Sequence, residues 1–283
     1  MPGRRMQLIR HFREVIRSEH PCVFAVGAFD GMHLGHQAVL ARLTECAARL
    51  GGEACVALRI AAPRPALASL RYRLRSLAEY GVTRTVLLRA GAPDDSTVTA
   101  AVGANVLVSG RGVAVPPSCR LELVEPVVID GAPVSMHHLR AALQSGDLAA
   151  VRRGLGRDAT VDGRIVHGFH RGGPIGIPTA NLRVRDLALP PDGVYAVRAR
   201  LAGAILQGVA NIGFNPTFGN RARSVETHLL DFRGYVYGER LEIAFVARLR
   251  GELKFSGLDA LLAQIRTDID AARTLFGAGP HDG

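Results

Sequence analysis

The sequence predicts an α/β domain followed by a small antiparallel β-barrel that a C-terminal helix closes. In the first half, short apolar runs alternate with helical periodicity, which is typical of a mainly parallel sheet with helices on both faces. From about residue 159 the pattern changes to short β-type segments separated by Gly, Pro, Asn and Asp, as in small barrels. We place the boundary near residue 155, which divides the 283 residues into domains 1–155 and 156–283.

The elements of the first half follow from their hydrophobic periodicity. Short, mostly apolar runs predict buried strands, whereas apolar residues three and four apart predict amphipathic helices. The pair Gly146-Asp147 separates two short helices before the pattern changes. The predicted strands cover residues 22–27, 54–60, 84–88 and 105–108, and the predicted helices cover residues 37–50, 72–80, 136–144 and 148–155.

The second half predicts strands and then one helix. Ser256 is a suitable N-cap for that helix, because a serine hydroxyl accepts a hydrogen bond from a free backbone N–H of the first turn. The apolar residues that follow fall on one helical face, which we expect to pack against the barrel. The predicted strands cover residues 160–167, 194–201, 205–211, 225–230 and 241–249, and the helical face comprises Leu258, Leu261, Leu262, Ile265 and Ile269.

The charge balance limits the classes of function. The net charge of +10 arises almost wholly from arginine, because Lys254 is the single lysine. The arginines are scattered and form no dense basic run with interleaved aromatics, which favours attraction for anionic nucleotides over nucleic-acid binding. The sequence also lacks a Gly-Lys-Ser/Thr motif, and this excludes a P-loop kinase.

Membrane and disulfide signals are absent from the sequence pattern. No apolar run reaches the length needed to span a bilayer, and the start of the chain is charged throughout, so we expect a cytoplasmic protein without a membrane partner. Cys22, Cys46, Cys55 and Cys119 include no CxxC pair. They therefore predict reduced thiols rather than a metal cage or a disulfide framework.

Residues 167–181 combine closely spaced glycines with a Pro-Thr-Ala-Asn segment. Glycines let backbone N–H groups approach an anion closely, so the stretch predicts a phosphate-binding loop followed by a rigid turn. The side-chain oxygens of Thr179 and Asn181 suit Mg²⁺, which takes its other ligands from phosphates and water. Alternatively, these two side chains cap the local backbone. The candidate loop residues are Gly168, Gly172, Gly176 and Pro178.

A carboxylate in residues 225–232 is the best candidate for a general base in this half. Strand alternation places Glu226, His228 and Leu230 on one face, and we expect that face to point into the domain. A base close to a phosphate site could deprotonate an alcohol that accepts a phosphoryl group. The alternative is an ordinary solvated strand glutamate.

Together these segments resemble the riboflavin kinase family, over about residues 158–275. The resemblance includes Asn211-Ile212-Gly213 and the segment from Arg250 to Phe255. It implies that Glu226 is the catalytic base, that Thr179 and Asn181 bind Mg²⁺ and ATP phosphates, and that Asn211 lies on the nucleotide side. One departure is Gly173, where the family often has a basic residue.

A second motif follows the first predicted strand and opens a helix. It reads Gly-Ala-Phe-Asp-Gly-Met-His-Leu-Gly-His, and a helix N-terminus with glycines and imidazoles suits a nucleoside triphosphate. HxGH is the signature of nucleotidyltransferases, so the motif predicts a Rossmann-like nucleotidyltransferase domain. His33 and His36 would stabilise charge on the α-phosphate as pyrophosphate leaves. The candidate nucleotide-binding residues here are Gly27, Phe29, Asp30 and Gly35.

Residues 20–155 resemble the FAD synthetase module, with departures after this motif. The family's Gly-x-Asp-Phe-x-Phe-Gly segment is replaced by residues 106–113, which lack the acidic residue and both aromatics. The family's Phe-Glu-Pro-His-Pro segment is likewise replaced, by residues 58–63. Of its Ser-Ser-Thr-x-x-Arg segment the chain keeps Ser135 and Arg140 but loses the central hydroxyls. Hydroxyls at a helix start commonly donate hydrogen bonds to phosphate, so we expect weaker ATP binding here.

The resemblance as a whole implies an enzyme of flavin-cofactor synthesis that takes ATP, Mg²⁺ and flavin. The second domain would phosphorylate riboflavin to FMN, and the first domain would adenylylate FMN to FAD with reduced activity. Two alternatives stay open, a fully active bifunctional enzyme and a flavin- or nucleotide-binding regulator without catalysis. We expect riboflavin, FMN and ATP as partners, and neither nucleic acid nor a membrane.

Overall fold

The computed structural model describes residues 6–60, 65–113, 115–166, 177–184, 186–214 and 223–277. The chain divides into two compact units. The first comprises Met1–Leu139 with Gly154–Gly156, and the second comprises Arg140–Arg153 with Arg157–Gly283. In the described parts of the chain, no helix has both the length and the apolar character required to cross a bilayer.

The first unit contains a six-stranded sheet in which every neighbouring pair is parallel. The strands lie in the order β1-β4-β3-β2-β5-β6. Their bounds are β1 Gln7–Ile9, β2 Cys22–Gly27, β3 Glu53–Arg59, β4 Arg84–Leu88, β5 Val106–Ser109 and β6 Arg120–Leu123. The helices that cover them are α1 Leu34–Arg49, α2 Leu70–Glu79 and α3 Asp95–Val102.

Both faces of this sheet are buried, as the sequence predicted. Successive residues of β2 alternate between two cores: Val23 packs on one face and Phe24 on the other. Leu40 and Leu77, from α1 and α2, cover the first face, and Val98 of α3 covers the second. Parallel strands need such two-sided cover, which explains their almost continuous apolar runs.

The order of the strands locates a ligand site in the first unit. β2 has β3 on one side and β5 on the other, so the direction of winding reverses at β2. In open parallel sheets, ligands bind beyond the carboxyl ends of the strands at such a point. The loop that follows β2, and the start of α1 at Leu34, lie there.

Short elements follow the sheet. A two-stranded hairpin is formed by β7 Val128–Ile129 and β8 Ala132–Pro133, and the helices α4 Met136–Ser145 and α5 Leu148–Leu155 come next. The predicted helices 136–144 and 148–155 agree with these bounds.

The second unit is a closed barrel of six antiparallel strands followed by a long helix, which confirms the predicted architecture. The strands lie in the order β10-β13-β12-β11-β14-β9, and β9 pairs with β10 to close the barrel. Their bounds are β9 Ala159–Val166, β10 Ala180–Arg183, β11 Gly193–Leu201, β12 Ala204–Phe214, β13 Arg223–Leu229 and β14 Arg240–Arg250. The helix is α6 Leu258–Gly277.

Helix α6 packs on the outside of the barrel. Ala272 and Phe276 of this helix form a buried cluster with Val194, Ala196 and Val209 of β11 and β12. Side chains that alternate with these along the strands point the other way and fill the barrel interior, as the fully buried Tyr195 does between Val194 and Ala196. The outer surface of β11 and β12 is thus a second buried face, where a polar residue can be enclosed without entering the barrel.

This second face specifies the position of Glu226 within the domain, which is outside the barrel interior. Alternation along β13 holds, but the barrel interior takes the other set, Val225, Thr227 and Leu229, which are buried. Glu226 lies on the outer face and is half-buried. The short β-branched and leucine side chains fill the narrow interior, whereas the carboxylate stays on a face that remains accessible.

Three expectations need correction. The Pro-Thr-Ala-Asn segment is only partly a turn, because Ala180 and Asn181 begin β10 and pair with β9 and β13. Ser256 is not the cap of α6, since the N–H of Leu261 bonds to the carbonyl of Gly257 and the helix begins at Leu258. Leu258 itself is exposed, because it lies in the first turn.

Candidate active sites

A cavity of about 530 Å³ lies between the outer face of the barrel and α6. The barrel side presents Val194, Val209 and Asn211, and the helix side presents Leu261 and Ile265. The cavity therefore has an apolar wall from the helix and a partly polar wall from the strands. Such a combination is typical of small-molecule sites.

The polar wall comes from three neighbouring strands. In the ladders, Glu226 of β13 lies directly opposite Asn181 of β10 on one side and Asn211 of β12 on the other. Directly opposed residues of antiparallel strands share a face, so these three side chains project from the same face of the barrel. Thr179, two residues before Asn181, also lines the cavity with Glu226. The barrel thus brings together Thr179, Asn211 and Glu226, which lie 15 to 47 positions apart in the sequence.

Asn181 is the buried member of this group. It is 6 % exposed, and its Oδ1 has no hydrogen-bond partner in the described part of the chain. A buried carbonyl oxygen normally has a partner, so this atom is suited to a ligand. Oxygen donors from Thr179 and Asn181 fit Mg²⁺, which is held by few protein groups and completes its shell with phosphate and water.

A hydrogen bond connects the polar wall to the preceding segment. The Nδ1 atom of His228 lies 2.8 Å from the carbonyl oxygen of Pro178. His228 is two residues beyond Glu226 on β13 and also lines the cavity. The residues before Asn181 are thereby attached to the strand that carries the carboxylate.

The opposite wall contains an ion pair that sequence reasoning missed. The guanidinium of Arg250, at the end of β14, donates to both carboxylate oxygens of Asp268 on α6, at 2.8 to 3.1 Å. Gln264 donates to the same carboxylate at 3.0 Å, and Asp268 is 4 % exposed. These bonds attach α6 to the barrel. The riboflavin kinase resemblance includes Arg250, but no sequence signal indicated that it pairs with Asp268.

Several predicted residues lie outside the described residues. These are Gly168, Gly172, Gly173 and Gly176, from the predicted phosphate loop. Pro178, the last predicted member of that loop, is described and is exposed.

In the first unit, the two predicted histidines are stacked at the start of α1. Their ring centroids lie 3.6 Å apart. The Nδ1 atom of His33 accepts the backbone N–H of His36 at 3.3 Å, so His33 is the N-cap of the helix. An Nδ1 that accepts has no proton, and the neutral ring must therefore carry its proton on Nε2. The ring of Phe29 lies 5.2 Å from that of His36.

The loop before these histidines is held in an uncommon conformation. Phe29 and Met32 have left-handed backbone angles, with φ of 45° and 49°. The fully buried carboxylate of Asp30 accepts the backbone N–H groups of Leu67 and Ala68 at 3.1 and 2.9 Å. These bonds attach the loop to the segment before α2, so Asp30 has a structural contact in addition to any role with nucleotide. Gly27 and Gly35 lie close to the Phe29 and His33 rings, where a Cβ would come within 3.1 Å.

Arg73 of α2 is a second residue that sequence reasoning missed. It is 4 % exposed, and its Nη1 donates to the carbonyl of Ala28 at 2.9 Å. Burial lowers its pKa, while the nearby Asp30 raises it. A single arginine in an amphipathic helix carries no sequence signal for such a position.

The environment keeps both imidazoles neutral at pH 7. Burial lowers the pKa of His33 to about 4, although the charge of Asp30 opposes the change. Burial lowers the pKa of His36 to about 3, and the neighbouring His33 and Arg73 add to the effect. Neutral rings donate N–H hydrogen bonds to a phosphate but carry no charge of their own before a nucleotide binds.

These shifts predict an acid-sensitive first unit. A histidine whose pKa is lower in the folded state binds more protons when unfolded, so stability is complete above about pH 6.5. It falls as the pH decreases toward 4 for His33 and toward 3 for His36. At pH 5 we expect a loss of up to about 2 kcal/mol per imidazole. Urea unfolding of the unchanged protein and of His36→Asn at pH 7 and 5 measures it. An equal loss in both proteins would contradict the assignment to His36.

Two further predicted residues lie near the start of α4. The hydroxyl of Ser135 accepts the backbone N–H of His138 at 3.3 Å and so acts as an N-cap. Arg140 lies on the helix itself and is half-buried. Of residues 106–113, which replace the family's Gly-x-Asp-Phe-x-Phe-Gly segment, the first three, Val106, Leu107 and Val108, are buried in β5.

Family comparisons cover both units. The riboflavin kinase family model matches residues 155–276, and the FAD synthetase family model matches residues 15–91. The second match ends before the segments at 106–113 and 135–140 that depart from the family pattern. The predicted resemblance to both families is thereby confirmed.

Curated relatives extend the comparison to nearly the full chain. A bifunctional riboflavin kinase/FMN adenylyltransferase of Pseudomonas fluorescens is 34% identical, over 98% of this chain and 100% of its own. The proteins of the same name from Haemophilus influenzae and Escherichia coli K12 are 31% and 32% identical, over 96% of this chain. They span 100% and 98% of their own lengths.

A solved structure supports the fold. A protein of Streptococcus pneumoniae described as a macrolide-efflux protein superposes with a TM-score of 0.81, over 95% of this chain and 99% of its own, at 24% identity. At this identity the likeness concerns the fold alone. Since the curated relatives match both units over almost their whole length, the chain belongs to the bifunctional riboflavin kinase/FMN adenylyltransferase family.

Proposed function

We propose that the second unit transfers the γ-phosphoryl group of ATP to the primary hydroxyl of riboflavin, which yields FMN and ADP. The main support is that one cavity contains the carboxylate of Glu226 and the side chain of Thr179, with the buried amide of Asn181 directly opposite Glu226. Phosphoryl transfer to an alcohol requires a base beside a metal and phosphate site.

Each side chain has a role in this proposal. Glu226 accepts the hydroxyl proton as the alcohol oxygen bonds to the γ-phosphorus and the bond from that phosphorus to the β,γ-bridging oxygen breaks. Thr179 and Asn181 hold Mg²⁺, which when bound neutralises charge on the phosphoryl oxygens. The apolar wall at Leu261 and Ile265 suits a flavin ring and excludes water, a competing acceptor.

We propose a second reaction for the first unit, the transfer of an adenylyl group from ATP to FMN with release of pyrophosphate. The support is the stacked pair His33 and His36 at the start of α1, beyond the carboxyl end of β2. The helix N-terminus and the imidazole N–H groups favour an anionic phosphate there. The missing hydroxyls after Ser135 argue for a slower reaction than in family members that have them.

Each of the two proposed reactions is assigned to one of the two proposed domains. We assign residues 1–155 to adenylyl transfer and residues 156–283 to the kinase reaction. The riboflavin kinase match begins at residue 155, which supports this boundary.

Separation of flavin products tests both reactions. The intact chain is incubated with riboflavin and MgATP, and the flavins are resolved by chromatography. We expect FMN first and FAD more slowly. Absence of FMN would reject the kinase proposal, and FMN without FAD would reject adenylyl transfer. If flavin and nucleotide bind and neither product forms, the protein is a regulator without catalysis.

A further inference from the structure

The contact between His228 and Pro178 defines the protonation of the imidazole. The Nδ1 atom lies 2.8 Å from the Pro178 carbonyl oxygen, and residues 50 positions apart make this bond. A carbonyl oxygen only accepts hydrogen bonds, so Nδ1 must donate. The neutral ring is therefore the Nδ1–H tautomer, which is the opposite of His33 in the first unit.

The carbonyl that His228 holds determines the orientation of the next residue. The carbonyl of Pro178 and the N–H of Thr179 belong to one planar peptide unit, so fixing one orients the other. The ladder between β10 and β13 extends only from Leu182 to Ala180. Pro178 and Thr179 therefore lie beyond its last pair, and the imidazole connects them to β13.

The position of His228 on β13 makes this connection relevant to the reaction. His228 and Glu226 share the outer face, two residues apart, and both line the cavity with Thr179. A movement of Thr179 by about 1 Å from its productive position is enough to impair catalysis strongly. The hydrogen bond from His228 of β13 to Pro178 thus sets the distance between Glu226, the proposed base, and the proposed metal-binding residue Thr179.

We propose that His228 is a positioning residue, whose Nδ1–H holds the Pro178–Thr179 peptide so that Thr179 meets the metal-bound nucleotide. This inference rests on the proposed kinase function and deepens it. It assigns His228 to the MgATP side of the cavity, whereas the α6 wall with Leu261 and Ile265 lies on the other side.

Two amide substitutions test which nitrogen of the His228 ring is required. In His228→Asn the side-chain NH₂ lies near the position of Nδ1, whereas in His228→Gln it lies near that of Nε2. We expect the Asn variant to keep the KM for MgATP close to the original value. We expect the Gln variant to raise it about tenfold, the effect of one lost hydrogen bond, with an unchanged KM for riboflavin. Calorimetric titration with MgATP and fluorescence titration with riboflavin provide the same comparison without turnover.

The tautomer can be measured independently of the reaction. Nitrogen-15 NMR of the histidines in the full chain, without substrates, should show the His228 signal of a ring protonated on Nδ1. A ring protonated on Nε2 would overturn the inference, as would equal MgATP affinity of the Gln and original proteins or equal losses in both variants. If the Gln variant does not fold, the NMR signal and the Asn variant decide. If the original protein forms no FMN, the kinase proposal fails, while the tautomer and MgATP titration still test His228.

Discussion

Replacing Glu226 by Gln should reduce FMN formation by about 10² to 10⁴-fold, the contribution typical of a general base. The amide has nearly the same shape as the carboxylate, so Gln preserves the half-buried position on β13. It cannot accept the hydroxyl proton, because its carbonyl oxygen is far less basic. Initial rates of FMN formation at saturating riboflavin and MgATP measure the effect, and riboflavin binding should be nearly unchanged.

A second carboxylate of the same cavity provides the matched control. Glu252 also lines the cavity, but it is exposed and lies on the segment after β14. We expect Glu252→Gln to keep FMN formation close to the original rate, because this carboxylate lies beside Gly213 of β12, whereas Glu226 lies directly opposite Asn181. If Glu226→Gln turned over as fast as the original protein, Glu226 would not be the base. If both variants lost activity equally, the cavity's total charge would be the cause.

Replacing Asn181 by Leu should weaken MgATP binding without lowering the free energy of unfolding. Leu has a similar volume and removes a buried carbonyl oxygen that has no partner in the described part of the chain. A buried unsatisfied polar atom costs about 1–3 kcal/mol, so we expect the free energy of unfolding to stay constant or to increase. MgATP binding should weaken by at least ~10–100-fold, since the loss of an outer-shell partner alone has that effect on metal sites.

A neighbouring asparagine separates the two effects. Asn211 lies across Glu226 on the same face, but it is exposed. Asn211→Leu should therefore give no gain in stability, because an exposed amide carries no burial penalty that Leu could remove. Urea unfolding and calorimetric titration with MgATP measure both variants. Destabilisation of Asn181→Leu by more than about 1 kcal/mol would contradict the view that Oδ1 is kept for a ligand.

The local patterns were sufficient for most of the fold. The strands β2 and β4 and the helix α5 have the predicted bounds, because short apolar runs and clear helical periods leave few alternatives. The missed elements had weak signals. β1 has only three residues, and α3 begins with Asp95-Ser96-Thr97, whose polar side chains resemble a loop. The cap that starts α3, Asp94 accepting the N–H of Thr97, was a readable signal.

The candidate sites likewise contain some residues that the sequence predicted and others that it did not. Sequence motifs identified Thr179, Asn181 and Glu226, and the structure places Thr179 and Glu226 in one cavity. Motifs indicated neither Asp268 and Arg73 nor the pairing of Arg250 with Asp268, because these contacts join residues far apart along the chain. A single charged residue in an amphipathic helix is usually solvated, so its burial is decided by what packs against it.

By itself, the sequence determined the two fold types, the family and the identities of the candidate catalytic residues. These properties depend on local periodicity and on short motifs, in which the informative residues are neighbours. The tertiary structure decided that Glu226 lies on the outer face of the barrel and that Asn181 lies directly opposite it in the ladder of β10 and β13. It also decided that the Nδ1 atom of His228 lies within hydrogen-bond distance of the Pro178 carbonyl oxygen. Those properties depend on barrel closure and on α6 covering one outer face, and so on contacts between residues that are distant in sequence.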